Sequence, residues 1–451
     1  MKHTPETPRD IREMMYGIDT ILKDGRVAIN LDNAATTPPF KAVVENILEK
    51  MKMYGSIGRG VGQKSVYSSE VYEEGRKQVK EFFGLDPNDK KYTVIYTNNT
   101  TDGMNKLASA LVEHECEPFR VISTRMEHHA NDLPWRERVG INCMLFADVD
   151  GNGRLKVNDI ERFFCKYNNI KYVTVTAAAN VTGYVNDVHR IAEIAHKYGA
   201  KIIVDGAQIV AHREFRILGR KPEQNIDFFV FSAHKMYSPF GGGAIVGLND
   251  ILAQHIPCFY GGGMVDAVRD CDVDFTSPPD LYEAGSPNYP GVVGMLKAME
   301  VLKDVGFDYI AKHEQELFKR TVDGLKKHGI ITLYGDNENY SDRVGIVVFN
   351  IGRISDFDVA KMLAKQGAIA VRHAKFCAHP YVNRLLGKVE SGNTVNACTQ
   401  DGMVRVSFGI YTSNEEIDDF IKVVDDIVGG KLVVDCIALT KSGVRKPNDR
   451  G

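Results

Sequence analysis

Three side chains of this 451-residue sequence, Lys235, Asp205 and Cys377, have types and neighbours suited to chemistry. Lys235 follows the apolar run Phe228-Phe229-Val230-Phe231 and the turn Ser232-Ala233-His234, and it precedes Pro239, Phe240 and three glycines. A lysine so placed leaves a sheet at the carboxyl end of a strand, where ligands of open α/β sheets collect. Partly desolvated beside another cation, its ammonium loses a proton more readily, and the free amine attacks an aldehyde carbon. A solvated surface lysine is the commoner case. Asp205 ends a second apolar run, Ile202-Ile203-Val204, where a carboxylate is costly unless it meets a cation or a donor. Cys377 lies five residues after Arg372, among His373, Lys375 and His379. Such an electropositive segment favours the thiolate, the form that attacks sulfur, although most free cysteines are small buried hydrophobes.

The elements that would position these groups follow from the pattern around them. Strands alternate with helices from about 92 to 247, which predicts an α/β fold with a mostly parallel central sheet and helices on both faces. Helices at 294–304 and 308–328, then strands near 331–334 and 343–351, predict a smaller α+β unit. The expected division is a large domain at 30–292 and a small one built from 1–29 and 293–451. Within it, 9–28 reads as a helix followed by a polar turn, and the tail after about 430 as frayed.

Other polar clusters have more than one use. Thr100 and Thr101 open a helix, where free N–H groups and the helix dipole favour an anion; an ordinary N-cap is the more frequent role. Glu127, His128 and His129 suggest a metal, but adjacent ligands rarely converge without others. Residues 148–159 nearly fit a calcium loop, with Asp148, Asp150, Asn152 and Gly153 in register. Asp159 stands where that loop needs Glu, and a strand rather than a helix precedes it. The glycine runs Gly241–Gly243 and Gly261–Gly263 lack the spacing of nucleotide loops.

VDGAQ at 204–208 followed by SAHK at 232–235 resembles class V aminotransferase-fold enzymes, most closely the cysteine desulfurase and selenocysteine lyase branch, second group. The resemblance runs from about Asp32 to about Asp426 and includes LDNAATTP, TNNTTDGMN, EHHANDLPW, LYEAGSPN and VRHAKFCAHP. It implies fold type I and the cofactor pyridoxal 5'-phosphate, which makes an electron sink of its protonated ring. By the same resemblance Lys235 holds the cofactor's aldehyde and carries the Cα proton, Asp205 faces the ring nitrogen, and His128 stacks on the ring. Thr100 and Thr101 take the phosphate, Asn180 and Gln208 the phenolic oxygen, and Ser232 and His234 are further cofactor contacts. Ser286 would reach across a homodimer interface to the neighbour's phosphate. Arg405 would clamp the substrate carboxylate, a task suited to a guanidinium fork, with Asn33 and Arg372 as further substrate contacts. Cys377 would take sulfur as a persulfide and pass it to an acceptor protein.

Departures from the family pattern bear on substrate. Gly58 and Gly62 replace two histidines, Ala374 replaces a glycine, Asp132 replaces an apolar residue, and about a dozen extra residues fall near 386–400. The expected activity is removal of sulfur or selenium from cysteine or a close relative, leaving alanine. Another class V reaction (transamination, epimerisation or a different C–S lysis) is the alternative, and a noncatalytic cofactor-binding protein is a third.

Composition narrows the classes further. With 43% hydrophobic and 25% charged residues and a net charge of −3, the chain suits a soluble enzyme and lacks the basic character that nucleic-acid binding needs. No apolar run is long enough for a membrane span, and MKHTPETPRDIREMM lacks a signal-peptide core, so an unexported protein is expected. Eight cysteines without a CxxC pair suggest reduced thiols in a cytoplasmic setting and no zinc framework.

Overall fold

The computed structural model describes residues 8–58, 60–113, 115, 117–254, 259–388 and 401–431. Most of the extra segment near 386–400, and the tail beyond 431, lie outside the described residues. The chain begins with α1 (Pro8–Glu13), β1 (Ile29–Asn30), α2 (Lys41–Met51) and α3 (Gln63–Phe82). It then alternates β2 (Tyr92–Thr97), α4 (Thr100–Glu113), β3 (Arg120–Thr124), α5 (His129–Val139), β4 (Met144–Ala147) and α6 (Val157–Lys166). Next come β5 (Ile170–Thr176), α7 (Val188–Lys197), β6 (Lys201–Asp205), β7 (Phe228–Ser232) and β8 (Gly243–Leu248). After α8 (Asn249–Leu252) and the hairpin β9 (Val265–Val268) and β10 (Val273–Phe275) come α9 (Tyr289–Val305) and α10 (Phe307–Leu325). The remainder is β11 (Ile331–Leu333), β12 (Ile346–Ile351), α11 (Asp356–Gly367), β13 (Ile369–Ala370), β14 (Arg372–Ala374), α12 (His379–Leu385), β15 (Met403–Ser407) and α13 (Asn414–Val428).

The central sheet runs β2-β8-β7-β6-β5-β3-β4. It is parallel from β7 to β4, and β8 lies antiparallel to both β7 and β2. Both faces are covered, so β7 is apolar at every position but its last. Phe228 and Val230 pack into one core with Ile203 and Ile245, whereas Phe229 and Phe231 point the other way into a core with Val204 and Val246. Burying each such side chain stabilises the sheet by about 1.5–3 kcal/mol. A sheet of order β11-β12-β15-β14 builds the second layer, over a separate core of Leu317, Val347, Val406 and Phe420.

Helix is shorter at the N-terminus than the pattern over 9–28 predicts. It ends at Glu13, because Gly17 and Gly25 turn the chain at φ 72° and 82° and Met15 and Ile21 make bridges to Phe40 and Val27. Ile11 and Met15 enter the large core beside Phe40 and Val43, while Ile29 and Leu31 enter the small one.

Glu314 on α10 ties the two layers together. Its buried carboxylate accepts from His212, from Arg213 Nη1 (2.9 Å) and from the Gly345 N–H (3.2 Å). Burial alone would raise its pKa, but His212 and Arg213 outweigh that and hold it below the usual value. Glu314→Ala removes the buried carboxylate that faces His212 and Arg213 and is expected to cost about 3 kcal/mol, read from the denaturation midpoint. The native contribution is present above the unfolded carboxylate's pKa of about 4.3 and is lost as pH falls through the depressed folded value. An unchanged midpoint in the variant would remove this link.

Candidate active site

The carboxyl ends of β5, β6 and β7, the start of α4 and the segment 372–377 enclose a cavity of 670 Å³. Lys235 enters it from the 3-10 turn Ala233–Lys235 that ends β7. Gly242 shapes that turn: at φ 118° its carbonyl accepts the Ala233 N–H (2.8 Å) and its N–H donates to Asn98 O (2.8 Å). A Cβ there would stand 2.9 Å from Gly291 O, so the glycine run serves close backbone packing.

Burial, only partly offset by Asp205, lowers the Lys235 pKa to about 8, with Arg405 and Arg372 adding to the fall. Asp205 is 3% exposed and accepts the Ala207 N–H (2.9 Å). Burial raises its pKa against that bond and against Lys235. The pair thus offers an amine that is readily neutral and an acid waiting for a cation.

One end of the cavity suits a phosphate. The Thr100 N–H donates to Ser232 Oγ (2.7 Å) and the two hydroxyls are also 2.7 Å apart, while Asn99 caps the Asp102 N–H (2.9 Å). Thr101 and His234 complete this end. Burial, then Lys235, lowers His234 to about 4, leaving a neutral imidazole. His128 caps α5 through Nδ1, which accepts the Ala130 N–H (3.1 Å). Burial first, then Lys235, lowers it to about 3, so the ring is neutral with its proton on Nε2.

The opposite end is cationic. Arg405, 2% exposed, donates to Asn180 O (2.8 Å) and to Asp32 Oδ1 (3.1 Å), and Arg372 Nη1 lies 3.7 Å from Asp32 Oδ2. Asp32 therefore holds two arginines from separate strands at one point. Asn180 Oδ1, Gln208 Oε1 and Arg405 Nε are buried on residues that line the cavity and lack a protein partner. Leaving such groups unpaired costs about 1–3 kcal/mol each, a cost that a polar ligand offsets. A phosphate end, a buried acid, a reactive amine and these polar atoms fit pyridoxal phosphate and an amino-acid substrate.

Cys377 is exposed on the cavity wall while Phe376 and Ala378 on either side are buried in a core with Met126, Tyr381 and Met403. Asn180 Nδ2 donates to Phe376 O (2.8 Å) and the His129 N–H to Cys377 O (2.7 Å). Ala374, Phe376 and Cys377 take φ values of 83°, 50° and 54°, a region that costs side-chain-bearing residues about 1–2 kcal/mol each. Ala374→Gly, which has no cavity contact to lose beyond its methyl, is expected to raise stability by about 0.5–1 kcal/mol. A lower urea midpoint in that variant would contradict the strain.

Most of the expected site residues line this cavity, and Asn33 does not. Its Nδ2 donates to Asn30 O and Ser407 O (both 3.0 Å) and its Oδ1 accepts from Tyr411 (2.8 Å), so the amide is spent on the fold; Ala34 and Ala35 line the cavity instead. Ser286, Gly58 and Gly62 are exposed and outside the cavity wall. The calcium-like loop is a turn between β4 and α6, with Asp159 accepting the Asp148 N–H (3.1 Å) and Asp148 paired to Arg384. Among the described residues no cluster of three metal-ligating side chains occurs, and no helix is long and apolar enough to cross a membrane. The resemblance gives Asp32, Glu127 and His379 no role at the site. Glu127 is buried, accepts from Thr124 (2.6 Å), Asn131 (2.7 Å) and the Thr176 N–H (3.1 Å), and is lifted by burial to about 8. Its place directly before His128 was the available signal.

The model of the family described as aminotransferase class-V matches residues 29–420. The chain belongs to that family. It is thus a pyridoxal-phosphate-dependent enzyme. A cysteine desulfurase of Haloferax volcanii is 34% identical over 402 residues, spanning 88% of each chain. A probable cysteine desulfurase of Halalkalibacterium halodurans is 32% identical over 403 residues, 88% of this chain and 93% of its own. The apo cysteine desulfurase of Thermococcus onnurineus superposes with a TM-score of 0.82 at 29% identity, over 94% of this class V chain and 99% of its own. These class V relatives are matched over nearly their full length.

Proposed function

We propose that this enzyme is a cysteine desulfurase that removes sulfur from L-cysteine, or selenium from selenocysteine, and leaves L-alanine. The observation that carries the reading is Cys377, presented on a strained loop into the same cavity as Lys235, Asp205 and the two arginines. When bound, pyridoxal phosphate supplies the electron sink that makes bonds to the amino acid's Cα and Cβ labile. Lys235 anchors the cofactor through its amine and then moves the Cα proton. Asp205 would keep the ring nitrogen protonated, His128 would cover the ring, Thr100, Thr101, Ser232 and His234 would hold the phosphate, and Asn180 and Gln208 would serve the phenolic oxygen. Arg405, with Arg372, binds the substrate carboxylate, which takes a share of the charge that Asp32 now satisfies. The Cys377 thiolate attacks the substrate sulfur: an S–S bond forms as the C–S bond breaks, and the electron pair left on Cβ takes up a proton.

The proposed division into 30–292 and 1–29 with 293–451 draws support from the separate core of Leu317, Val347, Val406 and Phe420, while Ile11, Met15 and the α9 residues Val293 to Val305 pack in the large core. The exposure of Ser286 supports a homodimer in which that hydroxyl reaches the partner's phosphate, testable by light scattering. A cytoplasmic location and a sulfur-acceptor protein complete the reading. Spectra of the yellow protein with a panel of amino acids, with alanine and sulfide assayed together, test it directly. With excess dithiothreitol to reduce the persulfide, equal alanine and sulfide from cysteine are expected; keto acid from an amino donor, with neither product from cysteine, would favour a different class V reaction.

A further inference from the structure

Cys377 stands between two cavities. It lines the site above and also a second cavity of 400 Å³ on the α5 side, walled by Thr101, Asn105, Leu133, Pro134 and Glu137. Two histidines meet at this crossing. His129 lines the second cavity and His379 the first, with ring centroids 4.7 Å apart and planes at 71°. The His129 backbone holds the Cys377 carbonyl, and His379 opens α12 two residues after the thiol.

These two rings differ from the rest. Every other histidine among the described residues has a polar partner: His128 the Ala130 N–H, His189 and His196 carbonyls, His212 Glu314, His234 Thr36, His313 the Thr412 carbonyl, His328 Asp425 and His373 Asp356. The rings of His129 and His379 have no hydrogen bond or ion pair among the described residues; they contact each other, and His129 also contacts the His128 ring at 6.4 Å between centroids. Burial first, then His379 and Arg136 against Asp132, holds His129 below its ordinary pKa, so it keeps a lone pair at neutral pH. Of the charged groups nearby, Asp132 is paired to Arg136 and Lys375 to Asp401 (3.6 Å), while Glu137 and Arg138 line the second cavity.

Resting on the desulfurase reading, we propose that the His129–His379 pair is the base that deprotonates the thiol collecting sulfur from Cys377, which approaches through the second cavity. The incoming thiol gives its proton to the pair. Its thiolate attacks the outer sulfur of the Cys377 persulfide, one S–S bond forms as the other breaks, and Cys377 leaves as the thiolate with the electron pair. No net oxidation occurs, and Cys377 is ready for the next substrate. Proton movement at the substrate carbon remains with Lys235, so loading and unloading of sulfur use separate bases.

Holoenzyme and its His129→Ala, His379→Ala and double variants test this. With one L-cysteine per site, His129→Ala should form alanine at the unsubstituted rate, since the bond from its amide to Cys377 survives the substitution. In turnover with 2-mercaptoethanol, a thiol at neutral pH, the double variant should slow about 10²-fold. With 5-thio-2-nitrobenzoate, already a thiolate, it should slow little, because no base is needed. Slower loading, equal slowing with both acceptors, or no slowing with either overturns the proposal. Absence of alanine from the unsubstituted enzyme would instead defeat the desulfurase reading.

Discussion

Lys235→Ala is expected to lower desulfuration of L-cysteine by at least about 10⁴-fold, the upper range for loss of a positioned proton carrier, and to leave a protein on which borohydride fixes no pyridoxal phosphate. Both effects follow from one amine. It enters the cavity from the turn that ends β7, and burial brings its pKa down to about 8. Only the neutral amine attacks an aldehyde. The rate at which apoprotein captures the cofactor should therefore rise with pH, with a midpoint near 8, and level off above it. The variant should still fold, because Phe231, Ala233 and Met236 around the lysine supply the burial. Stopped-flow absorbance on the apoprotein reads the capture rate, and peptide mapping after borohydride reads the attachment. A label on a different lysine, or capture that slows as pH rises, would show that the amine has been misassigned.

Cys377→Ala separates sulfur chemistry from cofactor chemistry. The variant is expected to stay yellow and to change its spectrum when amino acids bind, because the groups around Lys235 and Asp205 are untouched. Alanine and sulfide from cysteine should fall on the order of 10³-fold or more, the scale on which loss of a nucleophile within a cooperating group is felt. The loop should keep its shape, since the Asn180 and His129 bonds reach backbone carbonyls and Phe376 and Ala378 remain buried. Desulfuration at the unsubstituted rate would end the persulfide role while leaving the class V assignment intact.

The loss of the two histidines at Gly58 and Gly62 takes on a different weight once the chain is folded. Both glycines lie on the surface, outside the cavity wall. Within the cavity, His128, His234, His373 and His379 remain. Ala374, where the family pattern has glycine, adopts φ 83°, with its N–H held by Asp356 (2.8 Å) and its strand paired to β15.

What the sequence determined alone is whatever depends on neighbours in the chain. An all-apolar run ending in a polar turn makes a doubly covered strand, which is why the places of Lys235 and Asp205 at the carboxyl ends of β7 and β6 could be read from the residues, whereas their roles and that of Thr100 came from the resemblance. The turn over 148–159 was legible for the same reason, since a strand before it is a local property. Tertiary structure decided what depends on partners far apart in sequence. Asp32 meets Arg405 and Arg372, His129 meets His379, and Glu314 meets His212 and Arg213, each across a hundred residues or more. Asn33 was withdrawn from the cavity by Ser407 and Tyr411. The physical reason is that periodicity encodes which face of an element is buried, whereas the partner of a buried charge or ring is fixed only when separate elements pack and desolvate it.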